Sequence, residues 1–379
     1  MARIKYTENN LLRKLFGSKE NVIFLWIFLV LFAKVIRYTV LKETLVDAGI
    51  GHKMVAAINN NSTFFSFFDS QNSKDSIGDS IGNAAFFWDK INLLHLNTYI
   101  GFEVFITVIW NILMIVCLYR CKSNFNTIEI LFLITSILML NIFDFTISKE
   151  PIQAVFFLIC FFVLVSNMRH GQKVIWTFGV IMISVFTFRS YYILMIFWAG
   201  LFFFLQHLLL KKRINVCKLL IIFLCISFSY FLLLFVLQKT IPSVYNEFIR
   251  VRTRESTATT DIRLWFPSSN LTMFCLDYFI IVLRLLFPIE LIRFGPKFFV
   301  YVISQLIMSS IYLGSFFKIR TALFEEKISF CLFSGFIFMS AAFEPDFGSW
   351  VRHEAALFPI MLIFSGLIQS KNNKESYAK

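Results

Sequence analysis

Ten apolar segments of 15 to 20 residues follow one another along this chain, separated by polar turns and two longer polar segments. A helix needs about 20 mainly apolar residues to cross a bilayer. Hydrophobic residues make up 58% of the sequence and charged residues 16%, against about 25% charged in soluble domains. We therefore expect an all-α polytopic membrane protein with about ten transmembrane helices in one integral domain, residues 1–379. The predicted spans are 21–38, 99–118, 128–143, 151–166, 174–188, 191–210, 219–237, 298–316, 328–343 and 355–369.

Positive charge is concentrated on one side of these spans. With the N-terminus inside, the inner loops and tails contain 19 Lys and Arg against 6 Asp and Glu, whereas the outer half contains 17 of each. Cytoplasmic loops of membrane proteins carry such an excess, so both termini are predicted to be cytoplasmic and the first span to be an uncleaved signal anchor. The basic residues form no dense patch, which argues against a nucleic-acid partner.

Motifs for cofactors are missing from the sequence. It contains no glycine-rich phosphate loop, no G-x-S-x-G and no H-E-x-x-H motif, so nucleotide-driven chemistry is not expected. Cys117 and Cys121 share a helical face but have no His or Cys partners at zinc spacing. We therefore predict neither a metal nor another cofactor.

Two polar segments, 39–98 and 238–297, are predicted to be long loops on the outer side. Within the second, Leu271–Leu286 is apolar enough to resemble a span, but Asp277 and Arg284 interrupt it. Counting it as a crossing would place the following basic loops outside. We interpret it as an interfacial or re-entrant helix, and whether it crosses stays open at this point.

Arg189 is the only charged residue in the apolar stretch 174–210. Those 37 residues give about 55 Å of helix, while two crossings need about 60 Å. The turn at Arg189 and Ser190 must therefore lie at or below the membrane surface, where charge is tolerated only if it lines a protein or water cavity. A single arginine can also snorkel to the headgroups. We favour a phosphate-binding guanidinium, with Tyr191 beside it.

Three further groups of charged residues lie on the predicted outer side. Lys149 and Glu150 precede Pro151. An acidic residue followed by proline is an ordinary helix start. The span that follows is short, however, so it would also bury this charged pair. The long loop contains alternating arginines, which a solvated basic stretch explains as well as an anion site does: Arg250, Arg252, Arg254 and Arg263.

The last predicted outer turn runs from residue 344 to residue 354 and is unusually rich in ionisable groups. Arg352 is suited to phosphate, and His353 can exchange protons near neutral pH. Glu344 or Asp346 could orient the histidine or act as the base. The turn is therefore predicted to contribute at least one catalytic residue.

Together these features resemble the Wzy-type polysaccharide polymerases and the related EpsG-like exopolysaccharide proteins. The resemblance rests on about ten spans, a Phe-Arg-x-Tyr turn at 188–191, a basic outer loop over 250–263, and Arg352-His353 before a last span containing Pro359. Ser148-Lys149-Glu150 also resembles a turn that recurs in such proteins. The likeness covers nearly the whole chain.

The resemblance implies a metal-independent glycosyltransferase of the C-type membrane class in the bacterial inner membrane. Its substrate would be an oligosaccharide linked to undecaprenyl diphosphate, with membrane lipid and a chain-length regulator as partners. The diphosphate leaving group would supply the energy, arginines would stabilise its charge, and a base would deprotonate the acceptor hydroxyl. The product would be an O antigen, a capsule or an exopolysaccharide.

Two alternatives stay open. The first is a glycosyltransferase that takes one sugar from a polyprenyl phosphate, since acidic residues in the first outer loop would suit it: Asp69, Asp75, Asp79 and Asp89. The second is a transporter of lipid-linked oligosaccharide. Transporters tend to show internal repeats and interrupted helices at the membrane midplane, and neither is evident here.

Overall fold

The computed structural model describes residues 15, 17–39, 52, 54–55, 58–59, 80–209, 216–242, 245–246, 249, 253, 260–266, 271–295, 298–344 and 346–367. These residues contain thirteen α-helices and no β-strand beyond two isolated bridges. The helices are α1 (Lys19–Thr39), α2 (Ser80–Lys90), α3 (Tyr99–Tyr119), α4 (Thr127–Met139), α5 (Glu150–Val165), α6 (His170–Thr187), α7 (Tyr192–Leu209), α8 (Val216–Thr240), α9 (Leu271–Leu286), α10 (Phe299–Lys318), α11 (Phe324–Phe343), α12 (Phe347–Ala355) and α13 (Phe358–Phe364).

The all-α membrane fold predicted from the sequence is confirmed. Within the described residues, five helical stretches are long and apolar enough to cross a bilayer, namely α1, α3, α4 with its C-terminal extension to Asp144, α10 and α11. Shorter apolar helices occupy Glu150–Val165, Tyr192–His207 and Leu224–Thr240. Apolar side chains on the outside of these helices, such as Phe24, Val108 and Phe228, are exposed. A bundle with such a surface is suited to lipid and not to water.

Helix α11 forms the centre of the bundle. Every residue from Ile328 to Ala342 is buried, and α7 packs along it more extensively than any other helix does. The close approach depends on Gly335, because a Cβ atom there would lie 2.4 Å from the carbonyl oxygen of Met195 and 2.9 Å from the amide nitrogen of Ala199. Small residues at helix contacts allow this kind of packing in membranes.

Three helix breaks occur at the end of the bundle where α11 terminates, which we call the site end. Helix α4 loosens into a π-helical turn over Leu140–Asp144, followed by an irregular segment, residues 145–149. Helices α6 and α7 are joined by residues 188–191, at the Arg189 turn that the sequence predicted. These two breaks carry polar residues into a buried environment. The third break lies between α12 and α13 and consists of Ala356 and Leu357, which are both buried.

The last predicted span, 355–369, was too long. The structure ends α12 at Ala355 and starts a new helix at Phe358 that continues only to Phe364. Pro359 lies in the first turn of α13, where its missing N–H is tolerated. The segment predicted as an outer turn is instead a buried polar helix, α12, which places His353 inside the protein.

Helix α9 packs against α8 and α11. Its Asp277 is buried and accepts hydrogen bonds from the backbone N–H groups of Trp265 and Phe266, both at 2.8 Å. Arg284 binds Glu290 through two hydrogen bonds and donates to the carbonyl oxygen of Arg263. Asp277 and Arg284, the two charged residues in this apolar stretch, therefore bind residues 263–266 of the long loop to the bundle. We call that loop, residues 238–297, the arginine loop.

Candidate functional site

Glu150 is the first residue of α5 and is 3% exposed. Pro151 follows it in the first turn, so the helix begins without one backbone N–H. A carboxylate at this position benefits from the positive end of the helix dipole. The buried segment 145–148 leads into it, so the carboxylate is held inside the site end and not at the surface.

Arg189 lies in the turn between α6 and α7 and is also 3% exposed. Its Nη2 is 3.3 Å from Glu150 Oε1, and its Nη1 donates to the hydroxyl of Tyr191. The guanidinium also lies 5.7 Å and 5.8 Å from the ring centroids of Tyr191 and Tyr192, within the range of a cation–π contact. Arg189 is therefore an internal partner of Glu150, and does not snorkel to the surface.

His353 and Glu344 complete a chain of ionisable groups. Glu344 follows the last residue of α11, and His353 lies in α12; both are buried. His353 Nδ1 is 2.6 Å from Glu344 Oε1, and His353 Nε2 is 3.3 Å from Glu150 Oε1. We call Glu150, His353, Glu344 and Arg189 the Glu–His–Glu cluster.

The geometry of this cluster requires an additional proton. A neutral imidazole has one N–H donor, so it cannot donate to carboxylates on both of its sides. Both contacts are favourable only if the ring is an imidazolium or one carboxyl group is protonated. With an imidazolium, the two carboxylates, His353 and Arg189 sum to zero charge, which is the condition under which buried charges are tolerated. The cluster therefore has a place for one additional proton.

Two more polar side chains are buried beside the cluster. Gln153, one helical turn after Glu150, donates from Nε2 to the carbonyl oxygen of His353 at 3.3 Å. Its Oε1 atom, like the hydroxyl of Tyr192, has no hydrogen-bond partner among the described residues. Buried polar groups are nearly always hydrogen-bonded, so these atoms mark a place where a polar ligand or water would be stabilised. Gln153 was not among the site residues predicted from the sequence.

Lys149 and Arg352 provide cations at the edge of the cluster. Both side chains are half-buried. Burial lowers the pKa of Lys149, and the neighbouring Arg189 guanidinium lowers it further. Arg352 Nε and Nη2 donate to Gly348 O at 3.3 Å and to Ser349 Oγ at 3.2 Å. Both cations are placed where an anionic group approaching the cluster would meet them.

Asp346 has a different position from the other acids of this segment. It is the N-cap of α12 and accepts from the backbone N–H of Ser349 at 2.8 Å. It also forms an isolated antiparallel bridge with Asp261, and the N–H of Phe347 donates to Thr260 O at 3.0 Å. Asp346 therefore joins the long loop to α12, while Glu344 is the carboxylate that contacts His353.

The arginine loop is described only in part. Arg263 is exposed, with its Nε 3.4 Å from Asp261 Oδ2, and it contacts none of the four cluster residues. The other three predicted arginines lie outside the described residues: Arg250, Arg252 and Arg254. Of the first-loop acids, Asp69, Asp75 and Asp79 also lie outside them, and Asp89 is near Lys90 on α2.

A second charged cluster was missed by the sequence analysis. Lys34 and Arg37 of α1 bind Oε1 of Glu103 in α3 at 2.8 Å and 3.0 Å. Arg37 also donates to Ile142 O, and Lys34 to Phe145 O at 2.8 Å. The signal was present, because three ionisable residues inside predicted spans indicate a specific role by default.

The fold and this site define a class: a helical, membrane-embedded protein with a buried acid–base cluster at one end of its bundle. Comparisons with protein-family models, with curated proteins and with solved structures find no match for this chain. Its function is therefore argued from the site.

Proposed function

We propose that this protein is a metal-independent glycosyltransferase that polymerises oligosaccharide units linked to undecaprenyl diphosphate. The observation that carries the proposal is the buried Glu150–His353–Glu344 chain. Joining two units breaks the bond between the anomeric carbon of the donor chain and its diphosphate, and forms a bond from that carbon to a hydroxyl oxygen of the acceptor. The hydroxyl proton must be removed, and a group able to accept one proton supplies that step.

His353 is the proposed base, working with Glu344. The 2.6 Å contact to Glu344 fixes the ring orientation and stabilises the imidazolium that forms when the hydroxyl proton arrives, as a carboxylate does for histidine in other enzymes. For this step the cluster loses its extra proton when substrate binds, so that Nε2 of a neutral imidazole is free to accept the hydroxyl proton while Nδ1–H donates to Glu344. Glu150, at 3.3 Å from the other ring nitrogen, is the second proton acceptor of the same chain.

The cations at the edge of the cluster are proposed to bind the diphosphate. The leaving group gains negative charge as its bond to the sugar breaks, and fixed cations near it lower the barrier. Lys149 and Arg352 take this role, joined by the arginines of the loop. Arg189, which the sequence suggested as a diphosphate ligand, is assigned instead to positioning Glu150, because its guanidinium already binds that carboxylate.

A diphosphate-linked substrate would also account for a site on the outer face of the membrane. A diphosphate-linked substrate carries its own leaving group, so no nucleotide is needed on the same face. The site end is proposed to face the periplasm from the bacterial inner membrane, with both termini in the cytoplasm. The excess of positive charge at the other end agrees with this orientation.

The experiment is complementation of a strain that lacks this gene, with surface polysaccharide separated on a gel. Loss of the gene should collapse the ladder to the carrier plus a single repeat unit, because units are made and exported but not joined. His353→Gln and Glu344→Gln should fail to restore the ladder, since acid–base groups contribute about 10²- to 10⁴-fold to rate. The controls are His207→Gln and Glu20→Gln, which alter exposed residues and should restore it fully.

Three results would contradict the proposal. Total loss of the repeat unit in the deletion strain would indicate assembly or export. Truncated units would indicate a single-sugar transferase that uses a polyprenyl phosphate. A full ladder with a stably expressed His353→Gln protein would remove the histidine from the mechanism.

A further inference from the structure

A large cleft with a mixed polar and apolar lining lies at the opposite end of the bundle from the Glu–His–Glu cluster. Its volume is about 530 Å³, within the range of about 300–1,000 Å³ that small-molecule sites occupy. It is bounded by the start of α4, the start of α11 and the ends of α10 and α13. Glu326 in its wall and Glu344 in the cluster are separated by 18 positions of α11, or about 27 Å. The cleft is therefore one bilayer thickness from the cluster.

The lining of the cleft has a charged part and an apolar part. Four charged residues, all exposed or half-buried, form what we call its rim: Lys122, Glu129, Lys318 and Glu326. Its apolar wall includes Ile311 and the buried Phe364. Small residues create the space between them: Ser310, Gly314, Ser315, Ala322 and Gly366. A Cβ atom built on Gly314 would meet nothing within 4 Å. A polar rim over an apolar wall at this depth matches a lipid headgroup with the first part of its chains.

The charges on the rim are divided into a satisfied pair and an open pair. Lys122 Nζ binds Glu129 Oε1 at 2.6 Å. Lys318 is exposed and, within the part of the chain that the structure describes, forms no ion pair or side-chain hydrogen bond. Glu326 Oε2 accepts from the backbone N–H of Leu323 at 2.9 Å, and among the described residues no cation binds this carboxylate. One cation and one carboxylate are thus available to a ligand.

Two helix ends favour a cationic group next to Glu326. Helices α10 and α13 both terminate at the cleft, at Lys318 and Phe364. The last carbonyl groups of a helix give its C-terminus a partial negative charge. Here Lys318 O already accepts from Thr321 and Phe364 O from Ser315 Oγ, so the helix ends act on a ligand through this charge. An ammonium group with three N–H donors can bind the Glu326 carboxylate directly. A trimethylammonium group has no N–H donor and cannot.

We propose that this cleft is a specific binding site for a phospholipid whose headgroup contains both a phosphate and a primary ammonium, as in phosphatidylethanolamine. Lys318 binds the phosphate. Glu326 binds the ammonium, the partial negative charge of the two helix ends stabilises it, and the chains leave along Ile311 into the leaflet opposite the Glu–His–Glu cluster. The net charge of the four rim residues is zero, which suits a zwitterionic headgroup better than an anionic one.

The test is lipid retention by the full-length purified protein in mild detergent, measured by native mass spectrometry. Dioleoyl phosphatidylethanolamine, phosphatidylcholine and phosphatidylglycerol are added in equal amounts. Each open rim charge supplies a charge-assisted hydrogen bond, so phosphatidylethanolamine should be retained about tenfold more strongly than either competitor. Glu326→Gln should remove the preference over phosphatidylcholine, and its amide can still accept from the Leu323 N–H.

Two glycine variants control for location. Gly314→Leu fills the cleft and should abolish retention, whereas Gly179→Leu, also with open space around its Cβ position, should leave it unchanged. Equal retention of the three lipids, or a preference for phosphatidylglycerol, would overturn the proposal. So would undiminished retention by Gly314→Leu. If that variant does not fold, Lys318→Gln replaces it, because this change on an exposed side chain should also weaken retention, and unchanged retention would overturn the proposal equally.

Discussion

The ion pair between Glu150 and Arg189 should dominate the stability of the site end. Both side chains are 3% exposed, and removing one partner of a buried pair leaves an uncompensated charge at a cost of about 3–5 kcal/mol. Glu150→Gln should reach that range, because Arg189 then keeps only the Tyr191 hydroxyl and two aromatic rings. Arg189→Gln should cost less, about 1.5–3 kcal/mol, because His353 remains 3.3 Å from the carboxylate.

The double variant distinguishes an ion pair from two independent residues. Removing both charges leaves no unpaired ion, so Glu150→Gln with Arg189→Gln should cost no more than Glu150→Gln alone. The assay is thermal unfolding in detergent followed by tryptophan fluorescence, with Glu20→Gln as the exposed control. Interacting residues show coupling energies of about 0.5–3 kcal/mol. Additive costs, or a larger cost for Arg189→Gln than for Glu150→Gln, would refute the charge balance deduced for this cluster.

Three further predictions concern other parts of the bundle. Gly335→Ala should lower the stability by about 1–3 kcal/mol through overpacking. The control Gly314→Ala should be nearly neutral, because its added methyl group meets open space. Equal effects of the two variants would contradict the close contact of α7 and α11. Asp277→Asn keeps one of the two oxygen acceptors, so it should lower the free energy of unfolding by about 1–3 kcal/mol and make residues 260–266 more sensitive to protease. Unchanged cleavage would contradict the role of Asp277 in holding this segment. Burial raises the pKa of Glu354 in α12 from 4.5 to about 8, so the folded protein holds a proton that the unfolded chain releases. Stability should therefore fall as pH rises from about 5 to 8, with Glu354 contributing up to about 1.4 kcal/mol per pH unit. Glu354→Gln should remove that contribution and make the slope shallower in a pH series of thermal unfolding.

The helices could be predicted from the sequence because an apolar segment long enough to cross a bilayer is recognisable by its length and composition alone. The break at Arg189 followed from the arithmetic of 37 apolar residues for two crossings, and the structure places a turn there. The break before Phe358 was missed although Pro359 marked it, because α12 is polar and looks like a loop in a hydropathy profile. Whether a polar stretch lies inside depends on its partners, which a hydropathy profile does not contain.

The site was predicted only in part for the same reason. The sequence selected Glu150, Arg189, Glu344 and His353 as ionisable residues in turns, but it gave no reason to prefer Glu344 over Asp346. That choice depends on α12, where Asp346 caps the helix and His353, seven positions later, turns inward to Glu344. The local sequence pattern identified the candidate site residues, and the packing of α12 against the bundle determines which of them are in contact.

The irregular segment before Glu150 shows how the missed cluster supports the predicted one. A π-helical turn and a helix break leave carbonyl oxygens without their usual partners, and a lipid environment offers no water to replace them. Here side chains from other helices supply the donors: Arg37 to Ile142, Lys34 to Phe145, and Trp88 to Ser148. Glu103 binds both cations and offsets one of their two charges. The charges buried in α1 and α3 therefore stabilise a backbone that could not otherwise exist at this depth, and that backbone holds Glu150 against His353.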